Sequence, residues 1–288
     1  MEIVLVGSGM LAGQCVRTLR ERGFGVARVY ETEGNPLSDL SSVCESLAIP
    51  CSTVTRDQLW KALVRHDQET VVLSVNNIYL FPAQVCEKRE LRIVNFHGAL
   101  LPRYRGRGES VIAWALFNGE DHHGATWHLV QAGVDTGPIL CHHRFELSDR
   151  DTALDVMTRC LKHGHALFET HLPQLLDFDV RGTPQPPPDS PIYRLRDLPN
   201  DGLFDLEWDF MRASRFLRAL DYGLFPVLPL PRLVTEGRTM LIAGYALKPL
   251  SPTIGRGGTM KRAPGGSKVV VEYPGASIVL NLSATDPR

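Results

Sequence analysis

Over the first 176 residues, short apolar runs alternate with stretches whose apolar positions recur every three or four residues. Residues 1–7 (MEIVLVG) form such a run, ending at a glycine, and residues 10–22 carry a helical period through Leu11, Cys15, Val16 and Leu19. Residues 25–31 and 70–75 read as further buried strands. Residues 38–47 and 57–67 read as helices, the second capped by Asp57 with Leu59, Trp60, Leu63 and Val64 on its apolar face. Four parallel strands before residue 93, each followed by a helix or loop, predict an α/β fold with a doubly wound, mostly parallel sheet and its strand ends on one rim. The alternation continues with an apolar run opening at Ile93, a helix to Asn118, a strand over 124–130 and a long helix over 151–176. Leu154, Met157, Leu161, Leu167 and Leu172 line the apolar face of that helix.

Past residue 178 the pattern changes. Residues 179–191 (DVRGTPQPPPDSP) combine a proline run with Gly, Asp and Ser, the composition of a stiff extended linker, which continues to about residue 200. A helix is predicted over 203–222, a proline-rich loop over 225–231, and three short strands over 238–248, 267–273 and 277–282. The expected organisation is therefore a catalytic domain over 1–178, a linker over 179–200, and a small domain over 201–288 built from one helix and a β-barrel-like set of strands.

At 288 residues with 43% hydrophobic content, the chain can bury a sizeable core. Lys and Arg number 31 against 32 Asp and Glu, so no global basic field invites nucleic acid. The six cysteines lie among apolar neighbours without a C-x-x-C spacing, which suits reduced thiols and a cytoplasmic location. No apolar run approaches the ~18 residues of a membrane span, and the N-terminus opens directly in a strand without a targeting pattern. Paired histidines at His122-His123 and His142-His143 point to opposite strand faces, and His163 and His165 diverge on a helix, so no metal-chelating pair is expected.

Chemistry concentrates in residues 93–108 (IVNFHGALLPRYRGRG). Asn95 and His97 stand two apart on a strand and share a face at its carboxyl end, where open α/β sheets build their sites. An amide and an imidazole so placed can donate a hydrogen bond and exchange a proton in one pocket. Asp135 follows the next strand in a turn between Gly133 and Gly137. Arg103, Arg105 and Arg107 surround Tyr104, and Arg105 is a candidate anchor for an anionic group on a substrate, although such a cluster also suits a solvated loop.

The pattern N-x-H-x-x-L-L-P-x-x-R-G, followed by G-x-T-x-H-x-x-x-x-G-V-D-T-G-P-I, resembles the signature of the folate-dependent formyltransferases. That family includes methionyl-tRNA, sugar-amine and amino-acid-type enzymes, and the resemblance covers about residues 1–176. It implies transfer of a formyl group from 10-formyltetrahydrofolate, as co-substrate and without a metal, to a small-molecule amine: an amino acid, a hydroxylamine or an amino sugar. It makes Asn95, His97 and Asp135 catalytic, leaving open whether His97 or Asp135 takes the proton. Leu80, Phe81 and Pro82, with Gly133 and Val134, would hold the folate, while His128 matches a family position on the substrate side. Asp221 and Tyr222, in the segment Arg218-Ala-Leu-Asp-Tyr-Gly223, resemble residues over the acceptor pocket of the small-molecule enzymes.

Three alternatives stand beside this reading. One is a methionyl-tRNA formyltransferase, disfavoured by the balanced charge and the acidic residues between 201 and 221. Another is a nicotinamide oxidoreductase using the turn between Gly7 and Gly13, with Glu31 placed as a ribose-binding acid. The third is a catalytically silent binding domain. No membrane partner is expected, and the oligomeric state is left open.

Overall fold

The computed structural model describes residues 1–187, 191–225, 227–249, 257–262 and 267–285; residues 188–190 of the expected linker and residue 226 of the expected loop lie outside them. Two compact units form. The first comprises Met1–Gly106, Gly124–Phe145 and Arg159–Ile192, and the second comprises Arg107–His123, Glu146–Thr158 and Tyr193–Arg288.

In chain order the elements begin β1 (Glu2–Gly7), α1 (Gly9–Glu21), β2 (Arg28–Thr32), α2 (Leu40–Ser46), β3 (Cys51–Val54), α3 (Arg56–Val64), β4 (Thr70–Val75), α4 (Ala83–Cys86) and β5 (Leu91–His97). There follow a two-residue strand β6 (Arg105–Gly106), α5 (Gly108–Asn118), β7 (His122–Leu129), β8 (Ile139–Glu146), α6 (Ala153–Leu176) and a second short strand β9 (Ile192–Tyr193). Seven strands make the central sheet in the order β3-β2-β1-β4-β5-β7-β8. Strands β1 to β5 run parallel and β7 runs antiparallel to β5. The doubly wound, mostly parallel sheet is as the sequence predicts.

Alternate residues of each parallel strand enter different cores, which is why the strands read as unbroken apolar runs. Ile3 and Leu5 of β1, with Val71 and Leu73 of β4, pack with Leu11, Val16, Leu19, Trp127 and Phe168. Val4, Val6 and Val72 pack instead with Leu59, Leu63, Val85 and Ile93. Each fully buried Leu or Val contributes about 1.5–3 kcal/mol relative to exposure.

Helix α6 is seated against β5 by a missing side chain. A Cβ at Gly164 would run into the ring of Phe96, the residue between Asn95 and His97. The bare backbone there also lets the Trp127 indole donate to the Gly164 carbonyl at 2.9 Å, while its ring lies tilted against Phe96 and Phe168, centre to centre 5.5 and 5.4 Å. The strand that presents the site is thereby fixed from behind.

Several local expectations change. Thr55, not Asp57, caps α3: its hydroxyl and the Gln58 side chain form a reciprocal capping box, and Asp57 lies in the first turn. Val64 is exposed, because the helix ends there. The buried face of α6 includes Ala153, Val156, Cys160 and Phe168, whereas Leu154, Met157 and Leu161 are only partly covered. β8 does not show as an apolar run; only its His142-His143 pair reads as strand in the sequence.

The second unit contains α5, α7 (Phe210–Ala219) and five strands: β10 (Arg232–Thr235), β11 (Arg238–Pro249), β12 (Thr259–Arg262), β13 (Lys268–Tyr273) and β14 (Ala276–Ser283). They form an antiparallel sheet ordered β10-β11-β14-β13-β12, two strands more than expected. Helix α7 begins at Phe210 rather than at residue 203, because the Asp209 carboxylate accepts the Arg212 N–H at 2.8 Å and sets the helix start. No helix among the described residues is long and apolar enough to cross a membrane.

Candidate active site

Strand β5 delivers Asn95 and His97 to the rim of the first unit, and the antiparallel register sets His128 opposite Asn95 and Thr126 opposite His97. Asp135 comes from the turn between β7 and β8 with a left-handed backbone, φ 51°. These elements gather Asn95, His97, His128 and Asp135 into one polar cluster, with Asp135 Oδ2 3.7 Å from His97 Nδ1 and Oδ1 3.6 Å from His128 Nε2.

Carbonyl oxygens only accept, so they fix the imidazole tautomers. The Tyr104 carbonyl lies 2.8 Å from His97 Nε2, which therefore carries the hydrogen and leaves the Nδ1 lone pair facing Asp135. At 3.7 Å the carboxylate is too far to hold the ring by a hydrogen bond, so Tyr104 orients His97 and Asp135 acts on it through charge. In the same way the Leu129 carbonyl, 2.8 Å from His128 Nδ1, leaves His128 Nε2 to receive an amide hydrogen of Asn95 at 3.1 Å. The other Asn95 hydrogen goes to the Phe96 carbonyl at 3.0 Å.

Burial lowers the pKa of His97, and the nearby Asp135 charge only partly opposes this. The imidazole is thus neutral at neutral pH and able to accept a proton. For Asp135, burial acts to raise the pKa, but the positive charge His97 carries once protonated at low pH and the Gly106 N–H at 2.8 Å help to outweigh it. The carboxyl is held well below the usual carboxylate range. Both folded-state values lie beneath their unfolded ones, about 6.5 and 3.9, so the unfolded chain binds more protons on acidification. The stability from His97 is present above about pH 6.5 and lost as pH falls through its folded value; that from Asp135 is lost below about pH 4. The urea midpoint is therefore expected to drop between about pH 7 and 5, and to drop less in His97→Asn. Equal slopes for the two proteins would refute this assignment.

The remaining candidates fall in different surroundings. Arg105 is buried, its guanidinium donates to the Val134 carbonyl at 3.4 Å, and it lines a cavity with Thr136, Gln185, Pro186 and Pro187. Arg103 lies over the Tyr104 ring, 5.4 Å from its centre. After β4, Asn77 bonds both the N–H and the carbonyl of Tyr79 at 2.9 Å, stiffening a ledge on which Ile78 and Leu80 stand exposed, Leu80 by 67%. The Leu80 carbonyl receives the Trp60 indole at 3.1 Å, Phe81 is partly covered, and Pro82 caps α4. Gly133 is exposed with φ 112°, beside the half-buried Val134. Asp221 and Tyr222 belong to the second unit. Tyr222 is 1% exposed and its hydroxyl donates to the Glu109 carbonyl at 2.7 Å, a placement that leaves no surface for an acceptor. Asp221 accepts from the Tyr245 hydroxyl at 2.8 Å and from the Gly223 N–H at 2.9 Å.

The dinucleotide-like turn is turned inward. Ser38 and Ser41 both donate to the Glu31 carboxylate, the Gly9 N–H donates to Ser38 Oγ at 2.8 Å, and Asn35 reaches Ser8 at 3.4 Å. Sequence reasoning did not find the Tyr104 carbonyl, the Gly106 N–H or Gln185, two of which act through backbone that any residue would supply. Among the described residues no group of three or more His, Cys, Asp or Glu could hold a metal ion.

The formyl transferase family matches the chain over residues 27–172, just over half its length. A GDP-perosamine N-formyltransferase from Brucella melitensis is 28% identical over 229 residues, covering 78% of this chain and 86% of its own. The crystal structure of an N-formyltransferase from Helicobacter canadensis, solved with folinic acid and dTDP-3-aminofucose, superposes with a TM-score of 0.76 at 16% identity, over 98% of this chain and all of that one. The sugar 3N-formyltransferase WlaRD, solved with dTDP and 5-N-formyl-THF, also gives 0.76, at 17% identity over 99% of this chain and 98% of its own. At these identities the two structural likenesses are likenesses of fold.

Proposed function

The chain belongs to the formyl transferase family, and from that premise we propose that it moves a formyl group from 10-formyltetrahydrofolate to the amine of a nucleotide-linked amino sugar. The observation that carries this reading is the cluster of Asn95, His97 and Asp135 around a neutral imidazole whose Nδ1 faces a carboxylate. The names of the relatives support the sugar-nucleotide acceptor, as does the balanced charge of the chain. The stiff apolar ledge at Ile78 and Leu80 suits the face of a flat heterocycle, with Phe81, Pro82, Gly133 and Val134 as its proposed neighbours.

When bound, 10-formyltetrahydrofolate supplies an already activated formamide carbon. The chain's own part is to take a proton from the attacking amine and to steady the charge that develops on the formyl oxygen. His97 Nδ1 takes the proton, because Nε2 is committed to Tyr104, the resulting imidazolium is stabilised by Asp135, and the proton is passed on to the departing tetrahydrofolate nitrogen as its C–N bond to the formyl carbon breaks. Asn95 donates to the formyl oxygen the hydrogen that otherwise rests on His128, since the one on Phe96 is locked by adjacent backbone. His128 and Arg105 are buried, so His128 orients Asn95, and Arg105 reaches a substrate only through the cavity it lines.

Incubation with 10-formyltetrahydrofolate and either GDP-perosamine or dTDP-3-aminofucose should add one formyl group, read by mass spectrometry. Efficient formylation of methionyl-tRNA at physiological salt, with both sugar nucleotides inert, would overturn the acceptor assignment. A second measurement separates donor classes. Folinic acid at 100 times its dissociation constant should stabilise the fold by about 2.7 kcal/mol, whereas NAD should give no shift, because Glu31 is occupied by Ser38 and Ser41. Protection by NAD and not by the folate would favour the oxidoreductase reading.

A further inference from the structure

The proline-rich stretch after residue 178 does more than connect. Thr183 exchanges both backbone hydrogen bonds with Ile139, at 2.7 and 2.8 Å, which pins the segment beside the start of β8. Two residues on, the Gln185 side-chain amide donates to the Asp135 carbonyl at 3.0 Å and to the Gly137 carbonyl at 2.5 Å. One planar amide thus bridges the Asp135–Thr136 and Gly137–Pro138 peptides, in the turn where Asp135 holds its left-handed conformation. Pro184 and Pro186 flank Gln185, restricting the backbone on both sides so that little freedom is lost in placing the amide. The Gln185 Oε1 is buried without a hydrogen-bond partner among the described residues, so the side chain's bonding runs through its two N–H groups.

We propose that Gln185 is a positioning residue for catalysis, clamping the turn so that the Asp135 carboxylate stays against His97 Nδ1. The inference rests on the formyl-transfer reading above. Without the clamp the turn regains freedom around residue 136 and the carboxylate drifts from the imidazole, and a displacement of about 1 Å in such a group can slow a reaction roughly a hundredfold.

The test compares wild type with Gln185→Ala and with Gln185→Glu, which keeps the volume but places no N–H toward the two carbonyls. With 10-formyltetrahydrofolate and whichever of GDP-perosamine or dTDP-3-aminofucose is accepted, both variants should lose about tenfold or more in kcat. KM should move less than kcat, because the amide holds Asp135 in place, while any change in the KM for the folate reports on Gly133 and Val134 of the same turn. Titration of the His97 imidazole by NMR requires no substrate, and it should show a lower pKa in Gln185→Ala, since the carboxylate that favours the charged ring has moved away. That shift supports the clamp even where neither sugar nucleotide is formylated, a result that would sink the acceptor assignment alone. An unchanged His97 titration, or wild-type kcat in Gln185→Glu, overturns the clamp.

Discussion

Asp135→Asn is expected to lower kcat by roughly a thousandfold while the protein stays folded. Asparagine tolerates the left-handed backbone at this position, and its side-chain oxygen can still accept the Gly106 N–H, so the turn keeps its shape. What disappears is the charge facing His97 Nδ1. The imidazolium formed when the amine gives up its proton then sits in a buried site without a counter-charge. KM should change little, because the carboxylate is placed to act on the ring and not on the ground-state substrates. Steady-state kinetics with the accepted sugar nucleotide check this, and a kcat within a few-fold of wild type would remove Asp135 from the mechanism.

Asn95→Ala carries the second large effect, a loss of about 10²–10³ in kcat, the usual cost of removing a preorganised donor to a developing oxyanion. The position is half-buried at the strand end, with one hydrogen on its own neighbour's carbonyl and one on His128. Truncation therefore leaves the sheet ladder intact and removes one movable N–H. Binding of folinic acid should survive in the variant, which separates a lost catalytic donor from a collapsed site. Unchanged turnover would show that another group meets the formyl oxygen.

How far the fold could be read in advance followed the burial of each element. β1 and β4 feed two cores and so present unbroken apolar runs. β8 escaped as a whole strand because His142, His143 and Arg144 are exposed at the end of the sheet, where no alternation marks a strand. Helix α7 was drawn too long because the apolar residues before it, among them Phe204 and Trp208, are themselves buried and continue a helix-like spacing across the Asp209 cap. Within the site, the spacing of Asn95 and His97 was legible from the strand period, and Asp135 from its glycine-flanked turn. The partnership of Asn95 with His128 was not, since it depends on antiparallel register between β5 and β7. Gln185 lay hidden in a composition that signals a linker, and its role runs through carbonyl groups that carry no sequence signature.

Gly164 has a practical consequence for anyone engineering this chain. In the interior of a long helix, glycine is disfavoured by about 1 kcal/mol relative to alanine, so a stabilisation campaign that replaces helical glycines would choose it early. Here the added methyl would press on Phe96 and be felt in the strand that carries Asn95 and His97. Its apparent defect is a spacing device, and heat resistance sought at this position would come at the expense of the alignment on which turnover depends.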